Sequence, residues 1–259
     1  MKKLAIMLII ALTAIGCEKT THVILMAGQS NMVGYGKIAE LQNAQLPENI
    51  TYYNFGRQLG KPASSPDHFG PELGISQVLS ENFINEKFII IKYATGGASL
   101  LDWAKDYDSL TASTTGNPKN FGKMYDSLLK KTNEILKGKK HKKLALIWMQ
   151  GERDARIPEA GDQYYDNYLK FIANLRQDSD SPNLPILFGK VNPPSDRYPA
   201  LETVQNSQEQ IVRNVENTYL VDTDGLPKLK DDLHYDTEGQ LELGRRFGQL
   251  LLPLIAGRN

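Results

Sequence analysis

Ser30 lies in Ala27-Gly28-Gln29-Ser30-Asn31-Met32, a hydroxyl beside two carboxamides, directly after the apolar run His22-Val23-Ile24-Leu25-Met26. A serine acts as a nucleophile only with a base to take its proton and N–H donors to hold the oxyanion. Just past a strand end and before a helix or tight turn, Ser30 would find such amides. The competing reading gives Ser30 or Asn31 a helix cap and no chemistry. The chain has four histidines. His22 opens the apolar run, His68 stands among Pro and Ser, and His141 stands among lysines. His234 closes Asp231-Asp232-Leu233-His234. A carboxylate three residues earlier in a turn can accept from Nδ1–H and leave Nε2 free for the serine proton. Asp231 has that spacing, whereas Asp232 is read as solvated.

Other polar groups follow apolar runs in the same way. Thr95-Gly96-Gly97-Ala98-Ser99 comes after Phe88–Tyr93, and Gln150-Gly151-Glu152 after Leu144–Met149. Gly96-Gly97 reads as a turn needing positive φ, as a source of an oxyanion amide, or as both. Gln150 could offer a side-chain N–H. Glu152 and Asp154 are either helix-start charges or site groups, and Trp103 is either core or a platform for a sugar ring.

The elements that must position these groups alternate. Candidate strands are His22–Met26, Ile50–Asn54, Phe88–Tyr93, Leu144–Met149, Ile186–Val191 and, more weakly, Thr218–Val221. Between them run helical stripes such as Met124, Leu128 and Ile135, or Tyr165, Tyr168, Leu169 and Ile172. A last helix opens with a Thr237-x-x-Gln240 capping pattern and carries Leu243, Phe247, Leu250 and Leu254 on one face. Apolar strands alternating with helices predict an α/β fold, a three-layer α/β/α sandwich on a mainly parallel five-stranded sheet. In the flavodoxin-like order 2-1-3-4-5, ligands bind beyond the carboxyl ends of the strands, where the three polar turns would converge.

Lys2 and Lys3 precede an apolar run from Leu4 to Ile15 that ends at Gly16-Cys17. This is the pattern of a secretory signal, too short to span a bilayer comfortably. Ala14-Ile15-Gly16-Cys17 resembles the lipobox of bacterial lipoproteins, which implies removal of residues 1–16 and a lipidated Cys17. The alternative is an ordinary cleaved signal. Residues 17–21 would form a short tether and 22–259 a single domain. Cys17 is the only cysteine, so no disulfide can form within one chain. Without its two leading lysines the mature chain carries 28 basic and 30 acidic residues, with no basic footprint for nucleic acid. The five lysines between Lys137 and Lys143 read as a solvated turn.

Taken in order, AGQSNM around Ser30, TGGASL around Gly97 with Trp103 downstream, WMQGERDA around Gln150, and Asp231-x-x-His234 resemble the SGNH hydrolase superfamily. Within it they resemble the branch of sialic-acid-specific acetylesterases and family-six carbohydrate esterases, which includes acetylxylan esterases. The likeness runs from about Val23 to about Phe247. It implies Ser30 as nucleophile, His234 as base and then acid, and Asp231 as orienting carboxylate. The Ser30 and Gly97 amides and Gln150 would form the oxyanion hole. Gln150 stands where most of the superfamily has asparagine. Glu152 is an alternative partner for the histidine, and Gln29, Asn31 and Trp103 are candidates to contact substrate. The implied reaction removes O-acetyl groups from a carbohydrate, either a xylan-type polysaccharide or sialic acid, through an acetyl-enzyme. No cofactor is expected, and no H-x-x-H or H-E-x-x-H spacing suggests a metal. A lipase or thioesterase of the same superfamily, and a non-catalytic glycan-binding lipoprotein, are the other readings. The expected partner is the acetylated carbohydrate, with no nucleic acid. The expected state is an exported monomer held to a bacterial membrane by lipid alone.

Overall fold

The computed structural model describes residues 20–105 and 123–257. The expected signal segment, Cys17 and most of its tether lie outside the described residues. At the centre is a seven-stranded sheet in the order β4-β3-β6-β1-β7-β8-β9. Its strands are β1 (Thr21–Gly28), β3 (Ile50–Asn54), β4 (Arg57–Leu59), β6 (Phe88–Ala94), β7 (His141–Met149), β8 (Ile186–Gly189) and β9 (Thr218–Val221). All neighbours run parallel except β4, which pairs antiparallel to β3 at one edge. A separate two-stranded ribbon joins β2 (Gly36–Lys37) to β5 (His68–Phe69).

β1 is central, with Ile24 in register with Ile90 of β6 and Ala145 of β7. Residues Val23 to Ala27 have no exposed surface. Both faces of such a strand are covered, so its sequence is continuously apolar instead of alternating. On one face, helices Glu72–Asn82 and Thr237–Ala256 pack against each other. Gly74 and Gly244 let their backbones touch: a Cβ on Gly74 would lie 2.2 Å from the Leu241 carbonyl oxygen. On the other face, Tyr164–Asp178 packs on Leu201–Asn214, and Lys123–Leu136 lies against the turn Leu100–Trp103.

The α/β architecture follows the sequence expectation, but the sheet is wider than five strands. Numbered by the six candidate strands, the order is 2-3-1-4-5-6: Phe88–Ala94, not Ile50–Asn54, lies beside β1, and β4 extends the edge beyond β3. The reversal of strand order therefore falls between β1 and β7. The last helix also starts differently. Asp236, not Thr237, caps it by accepting from the Gly239 N–H at 2.9 Å, an arrangement worth about 1 kcal/mol. The Thr237 hydroxyl instead accepts from the Lys37 N–H and donates to Glu40.

One polar pair lies inside this apolar frame. Lys92 of β6 donates to Glu72 at 2.6 Å and to the Val33 carbonyl at 3.0 Å, with both charged side chains buried. Burial pulls the Lys92 ammonium below its ordinary value, and the Glu72 carboxylate opposes that pull.

Candidate active site

The turns after β1, β6 and β7 meet at the carboxyl end of the sheet. β1 ends at Gly28, where φ is +147° and a Cβ would lie 2.1 Å from the Met149 carbonyl oxygen, so only glycine fits. The next N–H, of Gln29, donates to that same carbonyl at 2.8 Å. Ser30 then opens the short helix Ser30–Val33, whose N-cap is Gln29 and whose start has no side-chain cap. The capping account of Ser30 and Asn31 therefore does not describe this turn.

Ser30, Gly96, Gly97, Glu152 and His234 line one cleft of about 260 Å³, together with Gln29, Tyr35, Arg153, Arg156, Tyr198 and Leu233. Residues 30 and 234, far apart in the chain, are thus brought to one rim. Among the described residues, neither the Ser30 nor the Gly97 N–H donates to a protein acceptor, so both are available to a ligand oxygen. Gly97 takes the positive φ expected of its turn, +69°.

His234 is held from its own loop. Its Nδ1 lies 2.6 Å from Asp231 Oδ2, while Asp231 Oδ1 accepts the backbone N–H groups of Leu233 and His234 at 3.0 Å each. Burial works the other way, but the His234 and Leu233 donors hold the Asp231 carboxyl below its ordinary value. Nδ1 is occupied by Asp231, so Glu152 is not the hydrogen-bonded partner of the histidine.

Glu152 has a different function. Asn31 Nδ2 donates to Glu152 Oε1 at 2.8 Å and to the Leu233 carbonyl at 3.1 Å, and Asn31 Oδ1 accepts the Tyr235 N–H at 3.1 Å. The side chain after the serine thus ties both neighbours of His234 to the start of the helix Glu152–Ala155. Asn31 is 1 % exposed, which removes it from substrate contact. Burial pushes the Glu152 carboxyl up, with Asn31 and His234 acting in the opposite direction.

Two further expectations are corrected. Gln150 is fully buried, and its Nε2 donates to Asp154, the Ala98 carbonyl and Gln29. Its N–H groups are spent inside the protein and it does not line the cleft, so it supplies no oxyanion donor in this geometry. Trp103 is also fully buried, packed edge-on against Trp148 at 5.2 Å, and belongs to the core. Gln29 does line the cleft, with its Oε1 accepting the Gly151 and Arg153 N–H groups. Asp154 accepts the Leu100 N–H at 3.1 Å and anchors the glycine turn from behind. Burial is the main cause that pushes its carboxyl up to about 7, and nearby Asp102 to about 6.

Sequence reasoning missed Tyr35, Arg153, Arg156 and Tyr198. On the turn 152–156 the acids Glu152 and Asp154 are buried while Arg153 and Arg156 face the cleft. Neither guanidinium has an ion-pair partner among the described residues.

A hydroxyl, a carboxylate-bound imidazole and unspent amides in one cleft of a parallel α/β sheet are the parts of a carboxylic ester hydrolase. The family described as carbohydrate esterase, sialic acid-specific acetylesterase, matches residues 20–252. The chain belongs to this family. It is 24 % identical over 255 residues to the probable carbohydrate esterase At4g34215 of Arabidopsis thaliana, spanning 89 % of this chain and 90 % of that one. The crystal structure of that Arabidopsis protein superposes with a TM-score of 0.69 at 23 % identity, over 89 % of this chain and 97 % of the other. NanS gives a TM-score of 0.69 at 16 % identity, over 93 % and 99 %. XAC1771, described as a carbohydrate acetylesterase from Xanthomonas citri, gives 0.67 at 15 % identity, over 91 % of this chain and 57 % of its own.

Proposed function

We propose that this carbohydrate esterase removes O-acetyl groups from a sugar by a Ser30–His234–Asp231 mechanism. The observation that carries the reading is that Ser30, Gly97 and the Asp231-bound His234 share one cleft. Ser30 Oγ attacks the acetyl carbonyl carbon as its proton passes to His234 Nε2. The Ser30 and Gly97 N–H groups hold the oxyanion, and each such donor is worth roughly 2.7–4 kcal/mol of barrier. The tetrahedral intermediate collapses as His234 returns the proton to the departing sugar oxygen, leaving acetyl-Ser30. Water, deprotonated by His234, then attacks the acetyl carbon, and acetate leaves as Ser30 regains its proton. Asp231 keeps the imidazole in one tautomer and stabilises its charged form.

For the substrate, the unpaired Arg153 and Arg156 at the cleft favour an acetylated sugar that also carries a carboxylate, of the sialic acid type, over neutral acetylated xylan. Guanidinium forks match carboxylates in geometry and in charge. The N-terminal pattern supports export with lipid attached at Cys17. The test is acetate release from O-acetylated sialosides and from acetylated xylan, with Ser30→Ala as control. The variant should lose roughly 10³-fold or more while remaining folded, and the sialosides should be preferred. Wild-type turnover by Ser30→Ala refutes the mechanism, and equal use of xylan refutes the acidic-sugar assignment.

A further inference from the structure

The imidazole of His234 is bonded at its edge by Asp231 and clamped along its backbone by Asn31, and its face is covered as well. The Tyr35 ring lies over it with centroids 4.2 Å apart and planes at 31°. Tyr35 gets there by a short, stiff route. Gly34, at φ +99°, donates its N–H to the Ser30 carbonyl and closes the serine helix. The ribbon β2–β5 begins at Gly36, the residue after Tyr35. The Tyr35 ring also meets His68 in a T-shaped contact at 6.3 Å, and His68 in turn contacts Ser65 at 3.2 Å. The Tyr35 hydroxyl has no hydrogen-bond partner among the described residues, so the contact depends on the ring.

We propose that Tyr35 is a positioning residue for the base: its ring fixes the plane of the His234 imidazole and stabilises the imidazolium that forms during acyl transfer. This rests on the roles proposed above for Ser30 and His234. A cation over an aromatic face within about 6 Å of its centroid is attracted by the ring quadrupole, and the observed separation is within that limit. Several charged groups also act on the imidazole. Asp231 is bonded to it, and Glu152 lies within electrostatic reach. Both stabilise the charged ring. Lys228 acts on Glu152 and Asp231, Arg153 and Arg156 share the cleft, and Arg197 binds the Asp231 carbonyl. These cations oppose it. Tyr198 lines the cleft and His68 touches the Tyr35 ring. Tyr35 adds a stabilising contact that carries no charge of its own.

The experiment compares Tyr35→Phe and Tyr35→Leu in the full chain by acetate release against pH. NMR titration of the His234 ring, which needs no turnover, runs alongside. Tyr35→Phe should keep kcat and the pH profile within about twofold. Tyr35→Leu should lose roughly 3–30-fold in kcat with KM little changed, and the acid limb of its profile and the ring titration should both move down by about half a pH unit. Tyr35→Met replaces the leucine variant if that one does not fold. The proposal is overturned by an unmoved titration in the non-aromatic variant, by a loss confined to KM, or by a loss in Tyr35→Phe equal to that in Tyr35→Leu. An unmoved titration counts even if Ser30→Ala has shown the esterase mechanism to be wrong, so the two failures are distinguishable.

Discussion

Asn31→Ala should damage stability and turnover together, because one side chain joins three loops. The substitution deletes the bond to the buried Glu152 carboxylate and the two bonds to Leu233 and Tyr235. A hydrogen bond to a charged group contributes about 1.5–3 kcal/mol and a neutral one about 1 kcal/mol, and a polar group left buried without a partner adds to the cost. The sum is roughly 3–5 kcal/mol. Glu152 has no bond at Oε2, so the alanine variant leaves its carboxylate without any side-chain donor. Adding Glu152→Gln in the Asn31→Ala background should therefore recover about 1–3 kcal/mol. With Ser30 and His234 in their proposed roles, release at both neighbours frees the pose of the base, and kcat should fall at least about tenfold even where the variant is fully folded. Urea unfolding and acetate release on the two variants and the parent measure both effects. An Asn31→Ala protein within about 1 kcal/mol and threefold in kcat of the parent would refute the clamp.

Two other perturbations test the frame behind the site. Lys92→Met alone should cost about 3–5 kcal/mol because Glu72 is left buried and uncompensated, whereas Lys92→Met with Glu72→Gln should cost much less; equal losses in a denaturant series would contradict this. Asp154, raised by burial from 3.8 to about 7, binds its proton more tightly in the folded chain than in the unfolded one. Its contribution to stability is thus complete below pH 4 and lost as pH rises through about 7, with Asp102 behaving alike up to about 6. Asp154→Asn should flatten the fall in Tm between pH 6 and 7, and an unchanged slope would rule that origin out.

The parts of the site that could be read in the sequence depend on short-range geometry. Asp231-x-x-His234 is a three-residue reach within one turn, and Ser30 and Gly97 each follow an apolar strand directly, so local spacing places them. Gln150 also follows a strand, but nothing local says whether a long amide turns toward solvent or toward a buried carboxylate; Asp154 decides it. Arg153, Arg156 and Tyr198 owe their place in the cleft to the way the turns after β7 and β8 pack together, which no periodicity encodes. The same holds for β4. Its Arg57-Gln58-Leu59 has no apolar alternation, being an exposed edge strand. Lys92 reads as an anomaly in an apolar strand until Glu72, twenty residues earlier, is seen beneath it.

His234 stands three residues before the helix Thr237–Ala256, which docks on Glu72–Asn82 where Gly74 and Gly244 let the backbones meet. During synthesis the serine is thus made about two hundred residues before the imidazole. With Ser30 and His234 in their proposed roles, a nascent, stalled or clipped chain that has not docked this helix is chemically silent. Docking of this helix is itself the safeguard, and the onset of acetate release in a synthesis reaction marks the moment it docks.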